Sequence, residues 1–308
     1  MSQGGITLSR NPLAIPAIAL AALVATGPAP AATDRPATPQ GSLIIVGGGD
    51  RTNKMMRRFV ELAGGAGAAR VAVVPLASSE PEATGAELAA RMDSLGARTF
   101  VFLAGRAEAQ TAAAARRLDS VTGIWFTGGD QARITAVLSR TATLRAMLAR
   151  YHGGAVIGGT SAGAAIISDS MITGNQTPPG DTTGYYGDEY PAIARDRIQV
   201  TAGLGFLPGA IVDQHFIRRE RHNRLLSAVL ERPSLLGVGI DENTALEVGP
   251  DGRWRVLGES GVIVYDARRA RVAALGRGKL GATDVRVHLL PAGAVYEPGS
   301  GRGRMPVR

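Results

Sequence analysis

AVIGGTSAGAAII, Ala155 to Ile167, is the stretch on which the reading of this chain turns. Small and apolar residues run into Gly159-Thr160-Ser161-Ala162-Gly163, and a second apolar run follows. A buried strand that bends at once into a helix fits this pattern. The G-x-S-x-G spacing has a physical reason: so tight a bend brings strand and helix backbones together, and the positions flanking Ser161 must be small. Such a bend lifts the Ser161 hydroxyl above the sheet edge and points free helix N–H groups at any developing negative charge. The same pentapeptide also suits an anion-binding turn in which Ser161 merely caps the helix.

Working outward, the chain alternates. Ser42–Asp50 (SLIIVGGGD), Arg70–Ser78 (RVAVVPLAS), Arg98–Gly105 (RTFVFLAG) and Val121–Asp130 (VTGIWFTGGD) are short apolar runs, each followed by a helix-like segment. The helices expected are 51–65, 80–96, 107–120 and 131–151. Short strands apolar on both faces and alternating with helices predict an α/β fold of three layers, α/β/α, around a mostly parallel, doubly wound sheet. Residues 170–200 break the rhythm with a polar stretch rich in Gly, Pro and Tyr, a length of loop that is usually functional. Strand, helix and strand then return at 209–216, 216–231 and 235–248; beyond residue 245 only hairpin-like segments remain (RWRVLG, GVIVYD, DVRVHLL). No internal repeat beyond this rhythm and no boundary after residue 41 is evident, so residues 42–298 are expected to form one domain with antiparallel strands at its end and a basic tail at 299–308.

The chain has 308 residues and a net charge of +8, carried mostly by scattered Arg. There is no uninterrupted Lys/Arg block, which argues against nucleic acid as a partner. The absence of cysteine excludes disulfides, thiolate metal sites and a cysteine nucleophile. Arg10 precedes the apolar run Leu13–Gly27, too short for a comfortable membrane span, and Ala29-Pro30-Ala31 supplies an Ala-x-Ala cleavage pattern. Residues 1–31 therefore read as a signal peptide, which implies a secreted or periplasmic protein without a stable membrane partner, and 32–41 as a flexible lead-in.

A serine nucleophile needs a base, and the chain offers four histidines. His152 precedes the Ser161 strand and should lie roughly 15–20 Å away along it. His288 alternates with Arg286 and is expected to face outward, and His222 falls within an Arg-rich helix. His215 ends the AIVDQH strand on the same rim as Ser161, and strand-end placement singles it out as the base. A second rim element is Phe126–Gln131 (FTGGDQ): its glycines allow close approach of backbone N–H groups, and Gln131 can donate and accept. The plainer reading of that hexapeptide is a turn with Asp130 as N-cap.

FTGGDQ, GGTSAGAAI, VDQHFxxRxRxxRL and GIDENTA, in this order over about residues 42–250, resemble the S51 serine peptidases, the cyanophycinases and their dipeptidase E relatives. The resemblance implies a flavodoxin-like fold akin to class I glutamine amidotransferase domains, with no metal or organic cofactor. It implies hydrolysis of cyanophycin, a polyaspartate backbone carrying arginine on its side-chain carboxylates, to β-aspartyl-arginine dipeptides. Carried onto matching positions, Ser161 is the nucleophile and His215 its base. Gln131, Asp213, Gln214, Arg219, Arg221 and Arg224 match the family's substrate-binding positions; beside the resemblance, the backbone N–H groups of Gly129 and Ala162 at the two strand-end turns are the expected oxyanion donors. Arg forks suit substrate carboxylates, and Asp suits its guanidinium groups. For all three Arg to reach substrate, the helix should begin near Glu220 rather than at Phe216; otherwise the cluster is an ordinary solvated helix face.

The triad acid is where the sequence departs from the resemblance. Gln176 stands where the related peptidases carry Asp or Glu, and a neutral amide cannot stabilise imidazolium by charge. Glu242, at the end of the GVGIDE strand, and Glu189 in the long loop are the leading replacements, with Asp188 and Asp181 also open. Rival readings are a peptidase for short Asp or isoaspartyl peptides, an α/β-hydrolase esterase, and a non-catalytic homologue. The esterase would use a His-Gly oxyanion signature and a late histidine as base, whereas His152 and His288 are placed away from the Ser161 rim by the reading above. An exposed sheet edge allows a homodimer.

Overall fold

In the computed structural model, Met1 and residues 38–173 and 192–306 are described. The expected leader, most of the lead-in, and Gln176, Asp181, Asp188 and Glu189 lie outside the described residues. β1 (Leu43–Val46) is wholly buried and is followed by α1 (Asn53–Leu62), begun where the Thr52 side chain accepts from Met55 N–H. Met55, Met56, Phe59 and Val60 recur at helical spacing and form its buried stripe. β2 (Arg70–Val74), α2 (Pro81–Ser94) and β3 (Arg98–Val101) repeat the unit.

Two expected helices are divided. The segment 107–120 gives α3 (Arg106–Ala109) and α4 (Ala112–Arg116), because Thr111 caps a new start. After β4 (Gly123–Phe126), the segment 131–151 gives α5 (Gln131–Leu138) and α6 (Ala142–His152). Arg140 turns to φ 61° between them, and the buried Thr141 caps α6 through Leu144 N–H. Both breaks are made by a local threonine cap competing with helix continuation.

β5 (Val156–Thr160) leads into the four-residue α7 (Ala162–Ala165), then β6 (Ser168–Ile172), β7 (Val200–Ala202) and β8 (Leu207–Gln214). α8 runs from His222 to Glu231, so the helix expected at 216–231 starts late; a non-helical turn follows β8 first. β9 (Leu236–Ile240), β10 (Thr244–Val248), β11 (Trp254–Gly258) and β12 (Gly261–Asp266) follow, then the hairpin β13 (Arg271–Ala274) and β14 (Leu280–Thr283). β15 (Arg286–Pro291), β16 (Val295–Glu297) and β17 (Arg302–Arg304) complete the described chain. The segment set apart above as a basic tail thus supplies β17, an edge strand paired with β16.

The strands form two principal sheets rather than one. The nine-stranded sheet has the order β17-β16-β11-β10-β1-β5-β4-β2-β3, parallel from β1 to β3 and antiparallel beyond β1 on the other side. The six-stranded sheet runs β15-β12-β9-β8-β6-β7, with β6, β8 and β9 parallel. α1 and α2 cover one face of the parallel strands, with Met56 and Phe59 against Ile44, Val71 and Trp125. α4 to α6 cover the other, where Leu43, Val74 and Phe126 meet Leu138 and Met147. This is the three-layer α/β arrangement. The same second core continues onto Val212, Val238 and Val264 of the six-stranded sheet, and α8 closes that sheet's far face. His288, expected to face outward, is half-buried beside the Tyr296 ring at 4.8 Å, while its neighbours Val287 and Leu289 are exposed. The register differs from the expectation because Val287 and Leu289 take the solvent-facing positions, which turns His288 and the buried Leu290 to the other face.

Candidate active site

The carboxyl ends of β1, β5, β4, β8 and β9 converge on one rim, the place where open α/β sheets bind ligands. Ser161 leaves β5 at φ 53°, ψ −112°, outside the regions an L-residue prefers, and begins α7. Its N–H donates to Val46 O of β1 at 3.0 Å, and its carbonyl accepts from Ala164 and Ala165 N–H. The flanking glycines are required by this bend. A Cβ on Gly159 would overlap the Gly163 carbonyl, and one on Gly163 would overlap Phe126 O of β4. Ala162 N–H, first in α7, has no acceptor within the helix.

His215 follows β8 at φ 50°, with its N–H held by Gly47 O at 2.7 Å. Its Nε2 lies 2.8 Å from Ser161 Oγ, and its Nδ1 lies 2.7 Å from Glu242 Oε1. Of the carboxylates the sequence left open, the structure brings Glu242 to the imidazole. Burial lowers the His215 pKa below the ordinary imidazole value; the Glu242 hydrogen bond opposes that shift, and the charges of Arg219 and Arg221 add to it. That direction favours the neutral ring. Nδ1–H donated to Glu242 leaves Nε2 free to accept the serine proton.

Three supports of this geometry escaped the reading of the sequence. Gly48, at φ 119°, leaves the space that the His215 ring occupies. Asp241 Oδ1 accepts from Ile217 and Arg218 N–H at 3.0 and 2.9 Å, which pins the turn after His215, and its Oδ2 accepts from Ser260 Oγ. Asn243, at φ 54°, binds back to the β1 loop: its N–H donates to Gly48 O, and its Oδ1 accepts from Asp50 N–H at 2.7 Å. The signals were present as the Gly47-Gly48-Gly49 triplet and the residues either side of Glu242, but their purpose depends on two distant loops meeting.

The residues matched to substrate binding divide in two. Asp213 and Arg224 are buried and joined by a two-pronged ion pair, Nε to Oδ2 at 2.8 Å and Nη2 to Oδ1. Arg221, also buried, donates to Gln214 O at 2.8 Å and lies 3.8 Å from Asp213 Oδ1. Arg219 lies in the exposed turn before α8, and its N–H returns to His215 O. Gln131 is buried and donates from Nε2 to Ile172 O at 3.1 Å, while Asp130 caps α5 by accepting from Ala132 N–H. Gly129 takes φ 133° and packs against Ala77 O; Gly128 is the closer neighbour of the serine, since a Cβ there would lie 3.5 Å from Ser161 Cβ. Together these groups can activate a hydroxyl, deliver a proton to a leaving group and meet an oxyanion with backbone donors.

A family model described as Peptidase family S51 matches residues 43–253. A protein named Cyanophycinase from Synechococcus elongatus is 34% identical over 267 residues, covering 83% of this chain and 79% of that one. Cyanophycinases from Trichormus variabilis and Geminocystis herdmanii are 36% and 32% identical, covering 75% and 83% of this chain and 74% and 93% of theirs. The crystal structure of a peptidase from an acI-B1 Actinobacterium superposes with a TM-score of 0.61 at 20% identity, over 85% of this chain and 98% of that one, and shares the fold.

Proposed function

This chain belongs to peptidase family S51, and from that premise we propose that it hydrolyses cyanophycin by serine acyl transfer. The observation that carries the chemistry is the unbroken relay from Ser161 Oγ through His215 to Glu242, at 2.8 and 2.7 Å. The relatives named Cyanophycinase supply the substrate. Neutral His215 takes the Ser161 proton on Nε2 as Oγ attacks an aspartyl α-carbonyl carbon. The carbonyl oxygen becomes an oxyanion facing the N–H groups of Gly129 and Ala162. Glu242 stabilises the imidazolium by charge, the role that Gln176 could not fill. As the C–N bond breaks, Nε2 gives its proton to the leaving amine. Water, deprotonated by the same nitrogen, then cleaves the ester and restores Ser161. Arg219 is the substrate-facing cation of the matched set, and the Asp213–Arg221–Arg224 cluster holds Gln214 and the turn in place behind it.

Ser161→Ala is expected to abolish turnover of cyanophycin while retaining measurable binding. Full activity in that variant overturns the reading. Assaying purified protein on cyanophycin and on short Asp-X and β-Asp-X peptides separates this activity from that of a dipeptidase, which would prefer the short peptides. The reading extends to export, supported by the apolar run and Ala-x-Ala pattern of residues 1–31. It extends also to a homodimer, supported by exposed Val287 and Leu289 on the edge strand β15.

A further inference from the structure

A cavity of about 230 Å³ opens between the ends of β4 and β5 and the face of α2, and the relay makes no use of it. It lies toward β4 and β2, whereas His215 stands over the β1 loop. Gly128 forms part of its wall and also neighbours Ser161, so the cavity begins beside the nucleophile. Thr127 and Thr160 are each only 3% exposed. Their Oγ1 atoms, together with Nε of Arg51, are buried with no hydrogen-bond partner among the described residues. All three residues line this one cavity.

Buried polar atoms are almost always partnered, and a group left without one is costly. Three such groups in one cavity, all able to donate, are accounted for by an acceptor that arrives with the ligand. The charges point the same way. Arg91 donates from Nη2 to Arg51 O and to Asn53 Oδ1, which sets a second guanidinium on the same wall. Among the described residues that line it, Glu87 is the one carboxylate against Arg51 and Arg91, so this lining carries a surplus of positive charge. Burial and the charge of Arg91 lower the Arg51 pKa from its ordinary value, and the charges of Asp50 and Glu87 offset that only in part.

We propose that this cavity is a substrate subsite that accepts a carboxylate, held by Arg51 and the hydroxyls of Thr127 and Thr160. The proposal rests on the peptidase reading above and names where that substrate's charge is read. In cyanophycin, arginine joined through its α-amine keeps a free α-carboxylate on every branch, and the main chain ends in one more. Glu87 favours the branch, because the cavity then meets both the carboxylate and the guanidinium of one arginine.

Calorimetric titration of the Ser161→Ala protein with β-aspartyl-arginine tests this. Two analogues, one amidated at the arginyl carboxyl and one at the aspartyl α-carboxyl, identify which group enters. Arg51→Gln in the same background is expected to weaken binding of the free dipeptide at least tenfold. One of the two amides should lose as much in the parent protein and lose nothing further in Arg51→Gln. Thr160→Val, which keeps shape and removes the hydroxyl, should show the same pattern with a smaller loss, and it carries the test if Arg51→Gln folds poorly. Equal weakening of all three ligands, no weakening, or no binding of any of them to Ser161→Ala overturns the subsite. Turnover of cyanophycin by the unmodified protein is a separate measurement, so a chain that fails it yet shows this binding pattern loses the substrate assignment and keeps the subsite.

Discussion

Ser161 and His215 are both held at positive φ, at 53° and 50°. Residues so held cost on the order of 1–3 kcal/mol each, and here the strain aims Oγ and Nε2 at one another. Ser161→Gly relieves it at no steric cost, so the inactive variant should be more stable than the parent by about 1 kcal/mol in urea unfolding. Glu242→Gln keeps the shape of the relay and removes its charge; kcat on cyanophycin should fall by a factor on the order of 10⁴. The pH dependence follows from the direction of the His215 shift. The base must be neutral to act, and its pKa is lowered, so the acid limb of kcat/KM should lie below the ordinary imidazole value of 6.5. Because the Glu242 hydrogen bond opposes that lowering, Glu242→Gln should carry the limb further toward acid. A limb that moves toward neutrality in that variant contradicts the assignment.

The elements are joined at the site by contacts that are distant in sequence. β8 and α8 are clamped by Asp213 and Arg224, and the turn between them is pinned by Asp241 from the end of β9. Arg224→Met would leave the Asp213 carboxylate buried with a weakened set of partners, a loss of about 3–5 kcal/mol that denaturant unfolding would register. Gly48→Ala acts on the active geometry instead. The new methyl would occupy the space of the His215 ring, so turnover should collapse, and a Cβ at φ 119° should add a stability loss of about 1–3 kcal/mol in the same unfolding measurement. The strand-and-helix rhythm that positions these loops was legible from the sequence because buried strands are short apolar runs. Helix ends were not. The breaks at Thr111 and Thr141 and the late start at His222 depend on whether a threonine or a turn wins against continued helix, a competition settled by the packing around it.

At the scale of the molecule, the parallel strands of two sheets present their carboxyl ends to one rim, and the antiparallel strands after residue 244 extend both sheets at the edges. Apart from Met1, the described fold begins at Thr38. The proposed export predicts that mass spectrometry of the secreted fraction finds Ala32 as the first residue, and that protein lacking residues 1–31 keeps its turnover of cyanophycin. Because that removal takes one Arg and no acid, the net charge falls from +8 to 8 − 1 = +7.

The sequence by itself determined the α/β class, the bend at Ser161 and the pairing of that serine with His215. Each is written locally: apolar runs report burial, and glycines report where two backbones touch. The identity of the third relay member was a choice among several carboxylates that local pattern could not rank. Among the described residues, tertiary structure carries Glu242, just past the end of β9, to the imidazole. The division into two sheets and the cavity lined by Arg51, Thr127 and Thr160 belong to the same level, because distances between segments far apart in the chain are fixed only when their cores pack.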